Sequence, residues 1–424
     1  MTVMKKNLIL AVLLGVFVTA TAADPMATNY TMRQCEGSLT PYPAEVNPAV
    51  FPDSLQPVYI NHVGRHGSRY PASSANCLKM RTALLRADSL GTITPAGRQL
   101  MKLNDLVIAR SENQWGALDS LGMAEQRAIA TRMFYNFGQI FKGGCTVEAN
   151  SSYSPRSMMS MFSFVHQLDR MDNRINFNTS TGRVNNATMR PFDVDEYYKQ
   201  FRAENGWKDA YDSYFEQACP LTAIRKVLGE RYPFGSDAEA RDLAITEYYV
   251  VAGCQCMGID PEASRFFTRE EYNALWSCFN LRQYLQRTAT TVSTVPADIA
   301  SQLVQDLIAT TDAFIAGTNP AVANLRFGHA ETLMPLLSLL RLKGCYYMTN
   351  YFDTVALHWR DFDVVPMAAN FQMILFRAEK SGRYYVRVDV NETPVLLQPG
   401  DSGIYTEWGE ARRYLTRCLP LYAQ

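Results

Sequence analysis

The chain has 424 residues, 47% of them hydrophobic, 12% aromatic and 19% charged. That excludes wholesale disorder and, at about 150 residues per domain, gives two or three domains or one α/β domain with a large insertion. Its 41 lysines and arginines balance 41 aspartates and glutamates, which excludes a globally basic nucleic-acid binder and leaves room for a local basic pocket.

Residues 1–22 read as a secretory signal peptide. Met1 to Asn7 carries Lys5 and Lys6, Leu8 to Val18 is almost wholly apolar, and Thr19-Ala20-Thr21-Ala22-Ala23 offers cleavage after Ala22. The apolar run is shorter than the ~20 residues of a spanning helix, and no later stretch replaces it. The expected product is exported, periplasmic or secreted, without stable membrane insertion. Export casts the nine cysteines (Cys35, Cys77, Cys145, Cys219, Cys254, Cys256, Cys278, Cys345 and Cys418) as disulfide formers with one left over. Cys254-Gln255-Cys256 is not a Cys-x-x-Cys pair and no second pair stands at zinc spacing, so no metal or other cofactor is expected.

Pro41 to Pro57 reads as an irregular lead-in to a short strand, Val58–Val63, ended by Gly64. Ala83 to Arg110 is helical in composition, broken by Gly91 and Pro95. Met123, Ile129, Met133, Phe134 and Phe137 recur at helical spacing after Asp119 or Ser120 as N-cap. Cys145–Ala149 predicts a second strand, and Ser157–Arg170 has the content of a buried helix. Asn173–Pro191 is polar and free of acids, with Arg174, Arg183 and Arg190. Asp193 to about Leu307 is helical, interrupted near Pro233-Phe234-Gly235. Short apolar segments return from Leu325: Met373–Phe376, then the alternating Tyr384–Val388. This order predicts an α/β core sheet flanked by helices, built from residues 23–155 and 308–424, with a mainly α-helical insertion over 156–307. The active site is expected in the cleft between them.

Three polar clusters stand out, two of them after predicted strands and one where the pattern turns. Arg65-His66-Gly67-Ser68-Arg69-Tyr70-Pro71 sets a histidine between two arginines, whose planar donor forks suit phosphate oxygens. A neutral histidine there can attack phosphorus; an ordinary charged surface loop is the alternative. Ser151 to Ser160 opens a helix with Arg156 at its N-terminus, placed for an anion or for a salt bridge. Phe327-Gly328-His329-Ala330-Glu331-Thr332 offers a donor in His329 and an acid in Glu331, whose pKa anionic substrate oxygens would raise, or simply a capped helix start. His62 and His166 read as packed core histidines; His358, beside Trp359 and Arg360, has no assignment.

Taken together, these segments resemble the histidine acid phosphatases. Arg65 to Pro71 is similar to that family's Arg-His-Gly-x-Arg-x-Pro signature. Gly116 to Gly122 resembles its Gly-x-Leu-Thr-x-x-Gly segment, with Asp119 for the usual Thr. Ser151 to Ser160 resembles its Ser-x(4)-Arg-x(3)-Ser segment, and Val365 to Asn370 its late strand-and-loop piece. Most members carry His-Asp where this chain has His329-Ala330-Glu331, a form similar to the multiple inositol polyphosphate phosphatase branch. The resemblance implies a histidine-phosphatase-like fold and hydrolysis of inositol polyphosphates such as phytate, with no metal. It implies that Arg65, Arg69, Arg156 and His329 bind the phosphoryl group, that His66 is the nucleophile and that Glu331 is the proton donor. Arg183 is a candidate for the substrate rim. A broad phosphatase acting on sugar phosphates and a polyanion-binding protein without turnover are the competing functions; binding alone needs neither His66 nor Glu331.

Overall fold

The structure, a computed structural model, describes residues 30–423; the leader expected over residues 1–22 lies outside them. The first apolar run becomes β1 (Leu55–Arg65), which continues through Gly64. A Cβ on Gly64 would stand 2.8 Å from the His62 Nε2, so the glycine makes room for that ring and does not end the strand. α1 (Ala75–Ser89) and α2 (Pro95–Ser111) follow, α2 opened by Pro95 with the Thr94 side chain accepting from the Gly97 N–H. α3 (Ser120–Asn136) is capped by Asp119, which accepts from the Leu121 N–H.

β2 (Thr146–Ser151), α4 (Pro155–Met171) and β3 (Asn176–Thr181) come next. After a long helical stretch the chain returns as β4 (Ala321–Gly328), β5 (Asn370–Ala378), β6 (Tyr384–Val390), β7 (Thr393–Val395) and β8 (Thr406–Glu407). These eight strands make one sheet in the order β3-β2-β4-β1-β5-β6-β7, with β8 also on β6. The β3-β2-β4-β1 half is parallel and the rest antiparallel.

Side-chain alternation gives each face its own apolar layer. Tyr59, Val63, Phe371, Met373 and Leu375 meet helices Ser301–Ile315 and Ala330–Leu339 on one face. Ile60, Ile374 and Phe376 meet α3 and α4 on the other. α4 is amphipathic, where the sequence suggests a buried helix: Met161, Phe164, Val165 and Leu168 face the sheet, while Met159, Phe162 and His166 face outward. His166 is therefore exposed, one turn from Phe162 on the outer stripe, and is not a core residue.

The α/β architecture stands, with its helical stretch lying between β3 and β4. Residues 156–181, read from sequence as insertion, carry α4 and β3 and join the sheet. α1 and α2, read as core, pack with helices Leu221–Leu228, Asp237–Ala252 and Arg269–Arg287 in a separate apolar cluster.

The disulfides expected from the export reading are not formed: all nine cysteines are free. All but Cys145 are buried, and they behave as small apolar side chains in separate places. Cys254 and Cys256 turn their thiols to the Val250 and Leu39 carbonyls. Among the described residues no helix is long and apolar enough to cross a membrane.

Candidate active site

β1, β4 and β2 end side by side, with Arg65 opposite Gly328 and Ser151 opposite Phe327. This is the carboxyl edge of the parallel strands, where open α/β sheets place ligands. The three polar clusters follow directly from these strand ends, so residues far apart in sequence meet at one edge.

Backbone bonds fix the first cluster. The Arg65 N–H donates to the Ala369 carbonyl (2.7 Å), the His66 N–H to the Gly328 carbonyl (3.1 Å), and the Ala368 N–H to the His66 carbonyl (3.0 Å). Ala368 adopts φ 54°, left-handed backbone that costs an alanine about 1–2 kcal/mol. Gly67 and Gly122 touch backbone to backbone. A Cβ on Gly67 would lie 2.6 Å from the Gly122 Cα, and one on Gly122 would lie 2.7 Å from the Ser68 nitrogen. Beside them the buried Glu125 carboxylate accepts from the Ser68 N–H and hydroxyl (2.7 Å each) and from the Tyr42 N–H (2.9 Å). The Arg65 guanidinium is anchored through Nη1 to the carbonyls of Ser38 and Val365, both 2.6 Å.

The partners of His66 define its tautomer. His66 Nδ1 lies 2.9 Å from the Gly67 carbonyl; a carbonyl only accepts, so Nδ1 carries the hydrogen and Nε2 keeps its lone pair. Burial, then the charges of Arg156, Arg65 and Arg69, push the His66 pKa far down, which keeps the ring neutral. His329, its ring 5.6 Å from that of His66, receives Arg190 Nη1 on Nε2 at 2.9 Å. Arg156 Nη2 stands 3.4 Å from the other ring nitrogen, Nδ1, and the Ser152 hydroxyl lies 3.0 Å from Nε2. Two guanidiniums, which only donate, therefore face the two nitrogens of His329, and the closer one is at Nε2. Arg190 is itself braced by Asp193 and stacks on Tyr153 and Phe192.

Arg65, His66, Arg69, Arg156 and Glu331 line one cavity of about 310 Å³. Among the described residues none of the three arginines has a carboxylate within ion-pair distance. Glu331 is paired with Arg287 at 3.0 Å. Burial works to raise its pKa, but Arg287, His329 and its own backbone N–H overturn that and hold it well below the usual carboxylate range. The sequence suggested a raised value; the opposing cation comes from the end of helix Arg269–Arg287, where no motif marks it.

Arg183 does not line this cavity; it lies over the outer face of Tyr153, 4.6 Å from the ring centre. Arg174 is a solvated partner of Asp172. His62 is packed against Phe164 and Phe327, and burial lowers its pKa to about 3. His358 stacks on Tyr347. Among the described residues no cluster of three or more His, Cys, Asp or Glu is placed to hold a metal.

The sequence profile of the histidine phosphatase superfamily (branch 2) matches residues 59–391. The chain belongs to that superfamily. A curated relative, multiple inositol polyphosphate phosphatase 1 of Gallus gallus, is 24% identical over 377 residues, covering 84% of this chain and 81% of the relative. The crystal structure of Bifidobacterium longum multiple inositol polyphosphate phosphatase with inositol hexasulfate has the same fold, with TM-score 0.77 and 19% identity over 92% of this chain and 99% of that one. The phytase from D. castellii aligns with TM-score 0.72 and 16% identity, covering 95% and 89% of the two chains.

Within this histidine phosphatase, sequence reasoning missed the roles of three residues. Arg190 appears in it only as one arginine of an acid-free run. Glu125 sits among ordinary helix residues, and Arg287 lies 44 residues from its partner. Their signal is three-dimensional.

Proposed function

We propose that the protein is an exported phosphomonoesterase that hydrolyses inositol polyphosphates, phytate among them, through a phosphohistidine intermediate. The observation that carries this reading is the grouping of three guanidiniums without carboxylate partners around a neutral histidine. Unpaired cations held together in a partly buried cavity favour a dense anion. The names of the relatives, which are phytases and inositol polyphosphate phosphatases, support the substrate class.

In this mechanism Arg65, Arg69, Arg156 and His329 hold the phosphoryl oxygens. The His66 Nε2 lone pair attacks phosphorus in line as the ester P–O bond breaks. The bond's electron pair stays on the inositol oxygen, which takes a proton that Glu331, ionised beside Arg287 at rest, first gains from solvent. Water then attacks the phosphohistidine, giving its proton to Glu331 and releasing phosphate and His66. Cationic positioning supplies most of the stabilisation that phosphoryl transfer needs. The leader over residues 1–22 is proposed to direct export.

Other lining residues support a second, broader reading. Ser73, Asn76 and Gln283 are neutral, and Tyr249 and Phe279 are aromatic, a surface that accepts a sugar ring without demanding further phosphates. Phosphate release from phytate and from a sugar phosphate, in mildly acidic buffer with a chelator, separates the two. His66→Ala should fold and lose turnover and the acid-labile phosphate trapped on the wild-type protein. A mutant retaining about a tenth of the rate would refute His66 as nucleophile.

A further inference from the structure

Arg287 is the last residue of helix Arg269–Arg287, and Phe279 and Gln283 of that helix line the cavity. Residues four apart stand one above another on a helix face, so Arg287 continues the lining stripe by one turn. There it meets Glu331, itself a lining residue, at 3.0 Å. The pair joins the helical layer to the first turn of helix Ala330–Leu339; Glu331 lines the cavity, and Arg287 is tied to it through Glu331 without being a lining residue itself. The charged and titratable groups in electrostatic reach of this pair are His329 on Glu331's own element, Arg65 and Arg69 after β1, Arg156 on α4, Tyr198 and Arg202 on helix Glu196–Glu204, and Tyr249 on helix Asp237–Ala252.

We infer that Arg287 is a specificity-determining residue: it keeps Glu331 ionised when a monophosphate binds, and passes to a second phosphate when a polyphosphate binds, freeing Glu331 to take up a proton. This rests on the proposed reaction and on Glu331 as its acid. A phosphate carries close to two negative charges and three acceptor oxygens against the single charge of a carboxylate, so it competes for the guanidinium fork. The incoming anion also offsets the other cations facing Glu331. The proton comes from solvent, moves to the ester oxygen as the P–O bond breaks, and is regained from the attacking water. A monophosphate leaves Arg287 in place, and its alkoxide departs without a proton. Discrimination thus acts on the chemical step as well as on binding.

The test compares myo-inositol hexakisphosphate with myo-inositol 1-phosphate, which share a leaving-group class, across pH 3–8. Arg287→Gln should raise kcat/KM for the monophosphate about tenfold or more, because a protonated Glu331 becomes available. The alkaline limb of its pH profile should move upward, since removing the cation raises the Glu331 pKa. For the hexakisphosphate the same variant should raise KM about tenfold, as one charge-assisted contact is lost. Arg287→Lys should restore most of the wild-type ratio and carries the test if Arg287→Gln does not fold. In Arg287→Gln/Glu331→Gln the monophosphate gain should vanish. Equal losses on both substrates, or an unmoved monophosphate pH profile, would overturn the inference while leaving the reaction intact. A wild-type protein that releases no phosphate from the hexakisphosphate would instead overturn the reaction itself.

Discussion

At the scale of single residues, legibility followed chain proximity. His66 and its arginines stand within five residues on a strand end, and His329 and Glu331 within three, so a motif could carry them. Arg190 and Arg287 act across the fold, and no local pattern announces a contact made by tertiary packing. Two predictions belong here. Glu331→Gln keeps size and hydrogen bonding but donates no acidic proton. It should cost about 10²-fold or more on phytate and much less on p-nitrophenyl phosphate, whose leaving group hardly needs a proton. Equal losses with chemistry rate-limiting would reduce Glu331 to a helix cap. Arg190→Gln should weaken inhibition by inorganic phosphate, because it removes the closer of the two guanidiniums that face the His329 ring. Imidazole ¹⁵N shifts should report the lost contact at Nε2, and an unchanged His329 spectrum would remove Arg190 from that role.

Elements were read best where burial imposes a period. β5 and β6 pair over the stretches that contain Met373–Phe376 and Tyr384–Val388: β5 is buried on both faces and so reads as an unbroken apolar run, while β6 alternates, turning Val386, Val388 and Val390 to one apolar layer. β3 was lost in the polar run because it is an exposed edge strand, Asn176–Thr181, without a buried face to impose alternation. The Gly116–Gly122 segment was recognisable as a motif, but its reason appears only in the fold: the start of α3 lies against the loop that carries His66. Gly122→Ala should therefore destabilise the protein by about 1–3 kcal/mol, the range for forced overpacking, and lower kcat beyond that loss by shifting the Ser68 backbone. Gly206→Ala is the control, since its Cβ would meet nothing within 4 Å. Urea unfolding and kcat measured on both variants decide it; a Gly122→Ala protein as stable and active as the control would show that the loop yields freely.

For the whole molecule, burial sets the acid–base balance, which composition does not reveal: a chain of zero net formal charge hides groups far from their ordinary pKa. Burial raises Glu36 from 4.5 to about 8 and pushes Glu247 well above 4.5, with neither Glu247 oxygen hydrogen-bonded. The unfolded chain ionises both near 4.5 and the folded chain resists, so their contribution to stability falls as pH rises above 4.5, through about 8 for Glu36. His62, His66 and His329 run the other way: buried and neutral, they are protonated near 6.5 only in the unfolded chain. Their contribution is complete above 6.5 and falls with pH below it, down to about 3 for His62. The opposing slopes overlap between about 4.5 and 6.5, where stability should peak. Each proton difference changes it by about 1.4 kcal/mol per pH unit. Glu247 isolates one such slope, because it is not a lining residue of the cavity, although Tyr249 and Val250 of its helix are. Glu247→Gln should match wild type at pH 4, exceed it increasingly above pH 5, and leave kcat unchanged. Urea unfolding at pH 4, 6 and 8 measures this directly. Parallel curves for the two proteins would mean that Glu247 is ionised in the folded state and that burial does not govern its proton.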